Sequence, residues 1–81
     1  MTHNIKLQCG FADSVNSGEK NFEIRKNDRG YQKGDKVQFS VIDNVGLRMY
    51  HPLEEKTFII TYVMSGYGLE NGYVVFGIKA E

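Results

Sequence analysis

Short runs in which apolar and polar residues alternate, separated by glycine-bearing turns, most limit how this 81-residue chain folds. Alternation with period two is the mark of a strand with one buried face. Asn4–Gln8 sets Ile5 and Leu7 among polar neighbours, with Cys9-Gly10 reading as a break. Lys36–Ile42 alternates Val37, Phe39 and Val41 against Lys36, Gln38 and Ser40, and Tyr73–Lys79 alternates Val74, Phe76 and Ile78 with Tyr73, Val75 and Gly77. Lys56–Met64 is nearly continuous in apolar residues, as expected of a strand buried on both faces for part of its length. In Asn21–Lys26 the alternation predicts Phe22 and Ile24 in the core, with Asn21, Glu23 and Arg25 on the opposite face.

One segment departs from this period. Phe11, Ala12 and Val15 stand at i, i+1 and i+4, with Asp13, Ser14 and Asn16 between, which fits about two turns of amphipathic helix. Gly18 falls where a left-handed C-cap glycine is expected. Asn27-Asp28-Arg29-Gly30, Gly34-Asp35 and Asp43–Gly46 read as turns, with Leu47–Tyr50 returning as the second arm of a hairpin. His51–Glu55 and Ser65–Gly72 read as loops. The whole predicts one domain over residues 1–81, α+β but mainly β. It is a small barrel of about five to six strands with one short N-terminal helix, in which closure removes exposed edges.

Composition narrows the function classes. Hydrophobic residues make up 41% and charged residues 25%, values ordinary for a soluble globular protein. The net charge of zero argues against avid, non-specific nucleic-acid binding, since such domains are strongly basic. The balance is uneven, however. Lys20–Lys36 carries Lys20, Arg25, Lys26, Arg29, Lys33 and Lys36 against Glu23, Asp28 and Asp35, a polarity able to orient an anionic ligand. The single cysteine, Cys9, excludes an intramolecular disulfide, and His3 and His51 are far apart, so neither metal nor cofactor is expected. No apolar run approaches a membrane span, and a cytoplasmic setting is expected.

Chemistry concentrates between Gly18 and Arg29. Arg25 offers forked hydrogen bonds to an anion, Lys20 a point charge, and Glu23 either a brace for these cations or an acceptor for the exocyclic amine of a base. The plainer alternative is a solvated sheet face with a weak ion pair. Gly18-Glu19-Lys20-Asn21-Phe22-Glu23-Ile24-Arg25 matches the pattern G-x-K-x-x-E-x-R, and the chain resembles the ASCH domains of the PUA-like superfold, in particular their small bacterial and phage branch. The resemblance runs from about Asn4 to Lys79 and includes Gly34-Asp35 and Gly72–Val75.

It implies a β-barrel whose cleft, beside the helix, is lined by the signature residues, and an RNA- or modified-nucleotide-binding role. The partner would be single-stranded RNA or a nucleotide. Lys20, Glu23 and Arg25 would form the site, with Lys26 and Arg29 as candidate phosphate contacts and Tyr31 and Tyr67 as candidate stacking platforms; Tyr73 is assigned to the core. An alternative is a hydrolase resembling N4-acetylcytidine amidohydrolases, with Lys20 and Glu23 as catalytic candidates. There, however, Glu23 replaces the catalytic threonine of the resembling enzymes. A second alternative is a protein-interaction domain.

Overall fold

A computed structural model describes residues 1–81. The chain runs β1 (Thr2–Gln8), α1 (Cys9–Ser17), β2 (Phe22–Lys26), β3 (Lys36–Ile42), a single 3-10 turn (Pro52–Glu55), β4 (Phe58–Met64) and β5 (Tyr73–Ala80). The strands form one mixed sheet in the order β1-β3-β4-β5-β2. Only β1 and β3 pair in parallel, and the remaining ladders are antiparallel. The sheet curves into a half-barrel, so the mainly-β, α+β expectation holds with five strands.

Alternation places the core. Ile5 and Leu7 of β1, Val37, Phe39 and Val41 of β3, Phe58 and Ile60 of β4, and Val74, Phe76 and Ile78 of β5 all point inward. Ala12 and Val15 of α1 and Leu53 of the 3-10 turn cover them. Each large aliphatic or aromatic side chain so buried stabilises the fold by roughly 1.5–3 kcal/mol. Helix α1 ends as its sequence predicts, with Gly18 at φ 85° and its N–H donating to the Val15 carbonyl. A β-carbon is strained at that angle, which is why glycine suits the position.

The half-barrel leaves β1 and β2 as its two edges, and no backbone ladder joins them. Two guanidinium groups span the seam instead. Arg25 Nη2 donates to the Lys6 carbonyl at 2.7 Å and Arg29 Nη1 to the Asn4 carbonyl at 2.8 Å. Expected closure by strand pairing is thus replaced by side chains that occupy carbonyls of an open edge.

The largest departure from the sequence reading is the face of β2. Phe22 and Ile24 are exposed, whereas Glu23 is buried and Arg25 half-buried. Register explains the inversion. Antiparallel neighbours directly opposite each other share a face. Glu23 lies opposite Phe76 and Arg25 opposite Val74, both inward residues of β5, while Phe22 lies opposite Gly77 and Ile24 opposite Val75.

Other differences are local. Cys9-Gly10 opens α1 directly from the end of β1 and does not interrupt the chain. Leu47–Tyr50 makes no strand, only a bridge between Ile42 and Arg48. Residues 52–55 wind into a 3-10 turn because His51 Nδ1 accepts the Leu53 N–H and caps it. His51 also reaches Asp13 Oδ1 through Nε2 at 2.8 Å.

Candidate ligand cleft beside the helix

The signature residues meet because of how the chain leaves α1. After the left-handed Gly18, the Lys20 N–H donates to the Ser14 carbonyl at 2.9 Å and holds Lys20 at the helix C-terminus. A cation is favoured there by the helix dipole. The Lys20 ammonium then donates to the Phe22 carbonyl at 3.0 Å and to Glu23 Oε2. On the other side of Glu23, Arg25 Nε and Nη2 both donate to Oε1, at 2.9 and 2.7 Å.

Glu23 is 2% exposed, so these charge-assisted bonds offset the cost of burying its carboxylate. One acid between two bases leaves the cluster with a net positive charge. That surplus faces a cleft of about 380 Å³ lined by Leu7, Gln8, Phe11, Phe22, Ile24 and the three charged residues. A volume of that order lies at the small end of ligand-binding clefts.

The Lys20 ammonium stands 5.2 Å from the centre of the Phe11 ring and 5.1 Å from that of Phe22. Both distances fall within cation–π range. Each phenylalanine remains about half exposed, at 50% and 42%. The cleft therefore combines two open aromatic side chains, a fixed ammonium and a guanidinium whose Nη1 carries no hydrogen bond within the protein.

The other candidates from the sequence separate from this group. Tyr31 is buried and packs between His3 and Phe76, with ring centres 4.8 and 4.6 Å away. Its ring is core, which corrects its expected role as a stacking platform. Burial pushes its phenol above the ordinary value, opposed by nearby Arg29 and Arg25. Tyr67 is 92% exposed, in a left-handed turn at φ 52°, and does not line the cleft. Tyr73 is half-buried. Lys26 and Arg29 lie beyond Arg25, beside a second cleft. Asn27 sets the turn after β2 as expected, its Oδ1 accepting the Tyr31 N–H at 3.1 Å.

Phe11 and Phe22 are the site residues that sequence reasoning missed, because their apolar character assigned them to the core. No local signal marked them, since the pairing with β5 that turns Phe22 outward, opposite Gly77, joins residues far apart in the chain. A half-buried pair was also missed, His3 Nε2 and Asp35 Oδ2 sharing a hydrogen bond at 2.8 Å. Asp35 further accepts the Gln32 N–H, and the His3 bond above all holds its carboxyl below the usual value. No group of three or more His, Cys, Asp or Glu is arranged to hold a metal ion. No helix is long and apolar enough to cross a membrane.

The fold and the cleft define a small mixed half-barrel whose helix-side cavity is floored by a lysine–glutamate–arginine cluster. Residues 2–78 match the family described as a domain of unknown function, DUF3850, and the chain belongs to that family. Comparison with curated proteins finds no match.

Proposed function

We propose that this chain is a non-catalytic binding module for RNA or a modified nucleotide, with the helix-side cleft as the seat of a base. One observation carries the reading: two half-exposed phenylalanines flank an ammonium that is already fixed in place. Single-stranded nucleic acids are held in this manner, by aromatic side chains against bases and cations against the backbone. The resemblance to ASCH domains implies the same class of ligand.

The locked state of Glu23 and Lys20 favours binding over hydrolysis. A general base needs a lone pair directed at substrate. Both Glu23 oxygens already accept from Lys20 or Arg25, and the Lys20 nitrogen is committed as a donor to Phe22 and Glu23.

Titration of fluorescently labelled single-stranded RNA tests the assignment, with Phe11→Ala and Phe22→Ala as the variants. Loss of one stacked ring weakens binding by about 1–3 kcal/mol, roughly 5- to 150-fold. Because both rings are half exposed, each truncation costs about 1–1.5 kcal/mol and lowers the thermal midpoint by roughly 4–12 °C, which leaves the variants folded at assay temperature. Affinity unchanged in both variants would remove the base from this cleft. Release of cytidine from N4-acetylcytidine would replace the binding reading with the hydrolase.

A further inference from the structure

Arg25 lines two clefts, not one. The second, of about 370 Å³, runs along the seam between β1 and β2 and is walled by Lys6, Arg25, Lys26 and Arg29, with Asp28 as its one acid and the buried Tyr31 at its base. Four cations and one carboxylate line this wall, and with Arg25 already paired to Glu23 the surplus is +2 in a chain whose total is zero.

We propose that the seam cleft is a phosphate subsite, so that the ligand is a phosphorylated nucleoside lying across Arg25, its base on the helix side and its phosphate on the seam side. The inference rests on the nucleotide-binding reading of the first cleft and specifies the chemical class that cleft accepts.

The donors support this assignment. Arg25 is fixed through Nε and Nη2, to Glu23 and the Lys6 carbonyl, and leaves Nη1 open. Arg29 is fixed through Nη1, to the Asn4 carbonyl, and leaves Nε and Nη2 open. Guanidinium groups held at one edge and open at the other lose little freedom on meeting an anion. The Lys6 and Lys26 ammoniums take part in none of the chain's ion pairs. Like charges gathered at both edges of one seam, with Asp28 the one acid in its wall, raise the local potential and draw in an anion. Lys6 lies in β1 between the core residues Ile5 and Leu7, and Lys26 ends β2 opposite Tyr73 of β5, so the sheet sets the backbone position of both.

Calorimetric titration of the chain with adenosine, adenosine 5′-monophosphate, tetra-adenylate and inorganic phosphate provides the test. The parent and a Lys6→Ala/Lys26→Ala variant are compared at low and at physiological salt. Adenine is chosen for its broad stacking face. The monophosphate is expected to bind about tenfold or more tighter than adenosine, as a charged hydrogen bond allows. The double substitution closes that gap, leaves adenosine affinity and the melting temperature unchanged, and flattens the salt dependence.

A strand that binds at least as well as the monophosphate assigns the phosphate to RNA, and one that binds worse assigns it to a free nucleotide. Equal affinity for adenosine and its monophosphate, or a gap that survives the double substitution, overturns the seam subsite and leaves the base cleft standing. Binding of inorganic phosphate and the monophosphate without adenosine keeps the subsite but overturns the base cleft. Absence of binding by all four probes overturns both.

Discussion

Replacement of Glu23 by alanine asks whether the charged cluster holds the half-barrel together as well as shaping its cleft. The carboxylate is 2% exposed and accepts bonds from Lys20 and from two nitrogens of Arg25. Its removal leaves two cations confronting each other, with side chains 20% and 25% exposed. Breaking a buried ion pair from one side costs about 3–5 kcal/mol. Because both cations retain some contact with water, the lower end applies, about 3 kcal/mol.

For a domain of this size the total stability is on the order of 4–12 kcal/mol, so the loss is a large share of it. At about 4–8 °C per kcal/mol, the melting temperature falls by roughly 12–24 °C. Thermal and urea unfolding followed by circular dichroism measure both quantities. Glu23→Gln keeps an acceptor for Arg25 but turns an amide N–H toward Lys20, and is expected to fall between parent and alanine. A Glu23→Ala melting temperature within about 4 °C of the parent would refute the reasoning. The cluster would then count for no more than a surface pair.

The remaining predictions follow from the His3–Asp35 pair and from β5. The Asp35 carboxyl is held below its ordinary value of 3.8 in the folded protein, chiefly by His3. Its stabilisation is therefore complete above the unfolded value and is lost as pH falls through the folded one. Asp35→Asn should flatten the acid limb of a urea-midpoint profile taken from pH 5 to pH 2; an unchanged slope would place the acid sensitivity elsewhere. A β-carbon at Gly77 would meet Thr61 Oγ1 at 2.6 Å, beside the register shift between Ile60 and Tyr62. Gly77→Ala should cost about 1–3 kcal/mol in urea unfolding. Thr61→Ala in the same chain should restore most of that loss, and failure to restore it would show that strain at Gly77 has another source.

A strand's place in the sheet did not decide how far the sequence could be read. The edge strand β1 has Ile5 and Leu7 in the core as expected, whereas the inner strand β4, expected to be buried on both faces for part of its length, buries only Phe58 and Ile60. β3 and β5 lie inside the sheet, and their alternation named the core residues Val37, Phe39, Val41, Val74, Phe76 and Ile78 correctly. The helix and its glycine cap were equally legible, since both depend on local spacing and backbone angle. β2 was not, because the same alternation admits either face and hydrophobicity favours the wrong one. A shift of one residue exchanges the faces of a strand. The register with β5 that decides the matter is a contact 53 residues away at Glu23 and Phe76. His3 was hidden for a related reason: its partner Asp35 lies 32 residues downstream.

The inverted face also changes why the charges are there. An open sheet edge exposes carbonyls and N–H groups that invite pairing with another chain, and inward-pointing charge is one means of preventing it. Arg25 and Arg29 occupy the Lys6 and Asn4 carbonyls of β1, and Arg25 can do so only because β2 turns its charged face inward. Phe22 and Ile24 are exposed by that same turn, and Phe22 thereby becomes a wall of the cleft. In the proposed binding module, structural and binding roles are divided among the atoms of one side chain. On Arg25, Nε and Nη2 brace Glu23 and the seam, while Nη1 carries no hydrogen bond within the protein. A lysine at this position would carry the charge but lack the planar fork that serves both sides at once.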